Sequence, residues 1–127
     1  MTSARLEHIN ITVPDPQASA AILCDLFDWH IRWEGAVMND GYSVHVGSAQ
    51  DYLALYRPGA GLRPAQPRYV TAASLAHVGV VVDDLDAAEA KVRAAGYTPH
   101  NHGDYEPGRR FYFDGPDGVE FEIVAYD

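Results

Sequence analysis

The chain is poor in positive charge, cysteine and long apolar runs, and each shortage excludes something. Nine lysines and arginines stand against 18 aspartates and glutamates, a net charge of −9. A nucleic-acid partner needs a basic face that displaces counterions, and this balance argues against one. Cys24 is the one cysteine, so no disulfide can close within the chain. It sits in Ile22-Leu23-Cys24-Asp25-Leu26-Phe27, where a free thiol reads as a small packed apolar group. No window approaches the ~20 apolar residues of a membrane-spanning helix, so no membrane partner is expected. Met1 to Glu7 carries neither an apolar run nor a cleavage pattern, and a cytoplasmic location follows as the expectation.

What is present is a globular composition. Hydrophobic residues make up 47% of 127 positions, enough for one domain with a real core. Leu6 to Val13 alternates with period two. Ile9, Ile11 and Val13 point one way, and His8, Asn10 and Thr12 the other. Asp15-Pro16 then reads as a helix cap and first turn, with the helix running to about Asp28. Ile22 with Leu26, and Leu23 with Phe27, give that helix a stripe to bury. Strands are expected over Trp29 to Val37, Tyr42 to Val46 and Tyr52 to Tyr56, with Asn39-Asp40-Gly41 as a hairpin signal. Five prolines and glycines between Pro58 and Pro67 leave no room for a regular element, so residues 58–73 read as a linker.

After the linker the pattern is written again. Leu75 to Val82 restates Leu6 to Val13, and Asp84 restates the capping Asp15. Leu85, Ala88, Val92 and Ala95 mark a second amphipathic helix that Gly96 closes. Strands are expected at Tyr97 to His100, Arg110 to Asp114 and Val119 to Val124. His8 and His77 are 69 apart, and Gly47 and Gly115 are 68 apart, an offset that sets Glu122 against Ala54. The expectation is an α+β fold of two tandem βαβββ modules in one domain over 1–127. Module one covers about 5–57 and module two about 74–127, with mixed sheets curled around a concave site.

The repeat suggests chemistry that no local spacing reveals. His8 and His77 occupy equivalent positions on the polar side of equivalent strands. Glu122 lies on the last strand of the second module. A single strand histidine is more often a surface residue. Two at repeat-equivalent positions plus a glutamate make a facial set of two imidazoles and one carboxylate. Such a set suits Fe(II), and also Mn, Ni or Zn. Asn10 faces the same side as His8. Arg109 or Arg110 is placed to pair a substrate carboxylate.

These segments carry a resemblance. Leu6-Glu7-His8-Ile9, Cys24 to Trp29, Ala76-His77-Val78, and Gly115-Pro116-Asp117-Gly118 leading to Glu122 resemble the vicinal oxygen chelate superfamily. That group includes glyoxalase I, bleomycin-resistance proteins and extradiol dioxygenases, and the resemblance runs from Leu6 to Val124. It implies one divalent metal ion held at His8, His77 and Glu122, with Glu122 and Tyr112 as catalytic residues. Asn10 and Arg110 are the expected substrate contacts, the substrate being a small molecule that chelates through two oxygens. It also implies a homodimer, with each site built either within one chain or across two. One departure stands out. Glyoxalase I-like members usually carry a further Glu or Gln ligand where this chain has Ala54. Three ligands point first to a dioxygenase-like enzyme. A glyoxalase I-like lyase or isomerase is the first alternative. A metal-free binding protein is the second, its pocket lined by Trp33, Tyr42, Tyr52 and Tyr56.

Overall fold

The computed structural model describes residues 3–126. The chain divides into two compact units, one ending at Arg63 and the other beginning at Pro64. Each holds one helix and a four-stranded mixed sheet, so the fold is α+β with two tandem βαβββ modules.

In the first unit the strands are β1 (His8–Thr12), β2 (His30–Val37), β3 (Gly41–Gly47) and β4 (Tyr52–Arg57), and α1 spans Pro16–Phe27. The sheet order is β1-β4-β3-β2, with β1 parallel to β4 and the other pairs antiparallel. Asp15 caps α1 as the sequence suggests, its Oδ1 accepting from the Ala18 amide at 3.1 Å. The helix packs on β3 and β4, where Val44, Val46, Leu53 and Leu55 are buried. Its own buried residues include Leu23 and Leu26, while Ile22 and Phe27 are only half-buried. Cys24 is a half-buried free thiol whose pKa burial raises, with Asp25 adding to the effect. Asn39 and Asp40 turn the β2–β3 hairpin, both with left-handed backbone, and the Gly41 amide donates to the Met38 carbonyl at 3.1 Å.

The second unit repeats the plan with β5 (Val78–Val81), α2 (Leu85–Ala94), β6 (His100–Tyr105), β7 (Gly108–Asp114) and β8 (Glu120–Tyr126). The sheet order is β5-β8-β7-β6, with the parallel pair again between the first and last strands. Asp84 caps α2 through the Ala87 amide at 3.0 Å. Gly96, at φ 95°, ends it. The Tyr97 amide returns to Val92 and the Gly96 amide to Arg93, the two bonds of a Schellman stop. The buried face of α2 is Leu85, Ala88 and Val92. Phe111, Phe113, Phe121 and Ile123 fill the core beneath it.

The structure corrects several expectations. The strand expected over Tyr97 to His100 instead runs His100–Tyr105 and pairs with β7. Ala95 is exposed at the helix end rather than part of the buried stripe. The first strand of each module is shorter than its alternating run. Ile9 stays 37% exposed, although its counterpart Val78 is buried. Pairing also refines the repeat. Ala54 lies opposite Asn10 and His45, while Glu122 lies opposite Gly79 and Tyr112. Ala54 and Glu122 are therefore equivalent at offset 68, as the sequence indicates, but Tyr112 matches His45 and Asp114 matches Gly47. The β7–β8 connection, with its 3-10 turn Pro116–Gly118, is one residue longer than the β3–β4 connection, which accounts for the shift.

Candidate active site

In the second unit, parity puts Glu122, Tyr112, Arg110 and His100 on the sheet face opposite α2. Glu122 is the centre of this group. The Tyr112 hydroxyl donates to its Oε2 at 2.5 Å, and the Arg110 guanidinium reaches the same oxygen at 3.3 Å. The other oxygen, Oε1, faces His77 Nε2 at 3.8 Å. Gly79, opposite Glu122 on β5, presents no side chain, and even an added Cβ would stand 3.9 Å from Oε1. Two donors thus fix one carboxylate oxygen while the other is left toward the imidazole.

His77 is oriented in the same manner. Tyr69 brings its hydroxyl within 3.1 Å of His77 Nδ1 and donates to Glu120. A phenol has one proton to give. With that proton on Glu120, the Tyr69 oxygen can only accept from His77, so Nδ1 carries the ring proton and Nε2 keeps its lone pair. Withdrawal from water and the Glu120 carboxylate hold the Tyr69 phenol up to about 12. The Glu122 hydrogen bond, with burial, holds Tyr112 up to about 12 as well. Both phenols therefore stay protonated at neutral pH.

His8 and Asn10 stand on the first unit's sheet, on exposed β1. Glu7 Oε1 sits 2.9 Å from His8 Nδ1. A carboxylate only accepts, so Nδ1 is again the protonated nitrogen and Nε2 the free one. The His8 ring stacks on Tyr52 at 4.9 Å, and Tyr52 stacks on His45 at 4.6 Å. Trp33 closes the row against His45 at 5.1 Å, and the Arg32 guanidinium lies 4.6 Å from the Tyr52 ring centre. Burial lowers the His45 pKa, with His8 and Arg32 contributing. Tyr42 does not join this row. It hydrogen-bonds Glu34 at 2.7 Å on the helix-covered side.

The donor set fits a divalent ion on its own chemistry. Each expected ligand has one polar atom engaged in a hydrogen bond that sets the tautomer or orientation, and a second atom of the right type not so engaged. This is the outer-shell arrangement that metal-binding histidines and carboxylates commonly show. Sequence reasoning missed Tyr69, which sits in a stretch of breakers with left-handed backbone (φ 70°) and no periodicity to mark it. It also assigned no role to His100 or Glu120. Glu120 is buried, and His100 stacks on Tyr112. The alternation of β8 put Glu120 on the Glu122 face, and that signal was available.

An α+β chain with two βαβββ modules and a His/Glu/Tyr constellation on one sheet defines a class of small-molecule proteins. Residues 5–123 match the family model of the Glyoxalase/Bleomycin resistance protein/Dioxygenase superfamily, and the chain belongs to that superfamily. No curated protein matches by sequence. Among solved structures, the chain is similar to a glyoxylase/bleomycin resistance protein/dioxygenase domain from Frankia sp. EAN1pec, at 18% identity and TM-score 0.83, covering 99% of this chain and 100% of that one. It is also similar to the fosfomycin resistance protein FosX from Listeria monocytogenes, at 17% identity and TM-score 0.73, covering 100% and 96%. TnmS3, an antibiotic binding protein from Streptomyces sp. CB03234, aligns at 14% identity and TM-score 0.71, covering 100% and 99%. Likeness at these identities speaks for the fold. No helix among the described residues is long and apolar enough to cross a membrane.

Proposed function

We propose that the chain is a cytoplasmic, homodimeric enzyme that holds one divalent metal ion, Fe, Mn, Ni or Zn, through His8, His77 and Glu122. Its substrate is a small molecule with two adjacent oxygens. The observation that carries this reading is the shared anchoring of the three ligands, each held at one atom and open at the other. When bound, the ion would act as a Lewis acid on the chelating oxygens. The protein's own groups do the rest. Tyr112 and Arg110 keep Glu122 turned toward His77, and Tyr112, protonated at neutral pH, would have to release Glu122 before donating its one proton to a substrate oxygen. Arg110 is already shared between Glu122 and the Gly108 carbonyl, and it stacks over Tyr105, so a substrate carboxylate would have to share it too. Asn10 adds an amide beside His8.

Three protein ligands leave positions for a chelating substrate and one further small molecule, so a dioxygenase-like reaction is the first reading. A glyoxalase I-like lyase or isomerase is disfavoured because a fourth ligand is replaced by the methyl group of Ala54, opposite Asn10. A second reading rests on a separate observation. The His8, Tyr52 and His45 rings stack in series with Trp33 tilted against His45, an aromatic row of the kind a metal-free protein would need to bind an aromatic ligand.

Metal content of protein purified without chelator, beside Glu122→Ala, tests the proposal. A loss of about one transition-metal ion per chain in the variant, relative to the parent, is expected. Oxygen uptake with a catechol panel would then support the dioxygenase reading, and turnover of a hemithioacetal the glyoxalase one. No metal in the purified protein and no tight uptake on reconstitution would overturn the enzyme reading in favour of the aromatic-binding one.

A further inference from the structure

We propose that the second unit carries a cation site of its own, formed by His100, Asp114 and Glu120 and distinct from the His8, His77 and Glu122 set. One ligand atom from each of the three lies within 4.8 Å of the others. They come from three neighbouring strands: His100 from β6, Asp114 from β7 and Glu120 from β8. Asp114 and Glu120 face each other in register, and His100 pairs with Tyr112, two residues before Asp114. Pairing therefore fixes all three on the face opposite α2.

Three observations favour a cation there. Glu120 is 6% exposed, and its described partner is the neutral Tyr69 hydroxyl. A buried carboxylate without a full counter-charge is costly. His100 Nε2 is buried and has no hydrogen-bond partner among the described residues, an expensive state for an imidazole nitrogen unless something binds it. Each carboxylate has one oxygen already fixed, Asp114 Oδ1 by Arg68 at 2.6 Å and Glu120 Oε1 by Tyr69. That repeats the anchoring seen at Glu122. One imidazole and two carboxylates match Zn²⁺ or Mn²⁺. Donors around one such ion lie roughly 3–3.5 Å apart, so binding draws the three together by about an ångström.

Calorimetric titration of the chelator-treated full chain with Zn²⁺ and, separately, Mn²⁺ tests the site. The Glu122→Ala background makes the outcome independent of the proposed active site. A binding event that persists in Glu122→Ala, and weakens about tenfold or more when His100→Ala or Asp114→Asn is added, is the expected result. Asp114 is exposed, so its variant keeps the test open if the His100 variant does not fold. Unchanged binding in both double variants, or no binding in Glu122→Ala alone, would overturn the proposal.

Discussion

Tyr69 shows what single residues do here and how little of it a sequence can announce. The residue is 61% exposed, yet its hydroxyl lies between His77 and Glu120 and so decides which nitrogen of His77 is available. Tyr69→Phe removes that hydroxyl and keeps the ring. The expected outcome is a metal affinity reduced about 10- to 100-fold, with a melting temperature close to that of the parent, because little buried surface is lost. A competition titration against a fluorescent chelator measures it, and unchanged affinity would mean that His77 does not depend on Tyr69 for its orientation. Legibility at this scale followed the repeat. His8, His77 and Glu122 could be proposed as a set because the second module restates the first. Tyr69 has no counterpart to be compared with, and its left-handed backbone leaves no mark in composition.

At the scale of elements, both helices were legible because their ends carry their own chemistry. Asp15, Asp84 and Gly96 cap or stop them where the sequence says they should. Strand β6 was not legible. Its sequence, His-Asn-His-Gly-Asp-Tyr, has no apolar alternation, Asn101 is left-handed, and a bulge interrupts its pairing. It is a strand through its partners. It pairs with β7, and His102 Nε2 meets Glu89 of α2 at 2.9 Å, where Arg93 also lands at 2.9 Å. His102 and Glu89 line a hollow of about 290 Å³ with Asp104, Arg109 and Arg110. The His102 hydrogen bond, and then Arg93, lower the Glu89 pKa below its ordinary 4.5 against the opposing effect of burial. A depressed carboxylate pKa stabilises the fold above the unfolded value and stops doing so as pH falls through the folded one. Glu89→Gln should therefore cost about 1 kcal/mol at pH 7, the partners being half in water. Parent and variant should converge as pH falls below 4.5 and through the lowered pKa of Glu89 in the fold. Urea melts at pH 7 and pH 3 check this, and an equal difference at both would show that the β6–α2 tie is not ionic.

For the whole molecule, the proposed metal site can be built from one chain or from two. The repeat marks two modules. It does not tell how ligands are shared, because equivalent strands can complete a site within one chain or with a second copy. In the proposed homodimer a second copy would cover the apolar side chains exposed near and on β1, Leu6 at 78% and Ile9 at 37%. Light scattering should then give twice the 13.9 kDa chain mass. A mixing experiment decides the sharing. In a two-fold dimer whose sites take His8 from one chain and His77 with Glu122 from the other, pairing His8→Ala with Glu122→Ala puts both defects in one site and leaves the other intact. Refolding the two inactive variants together should restore metal binding and activity at about one site in four, because half of the dimers are mixed and each mixed dimer has one good site. If each site is completed within a chain, every chain in the mixture lacks one ligand and nothing returns. Recovery near that fraction would assign the site to two copies of the chain, and none would confine it to one.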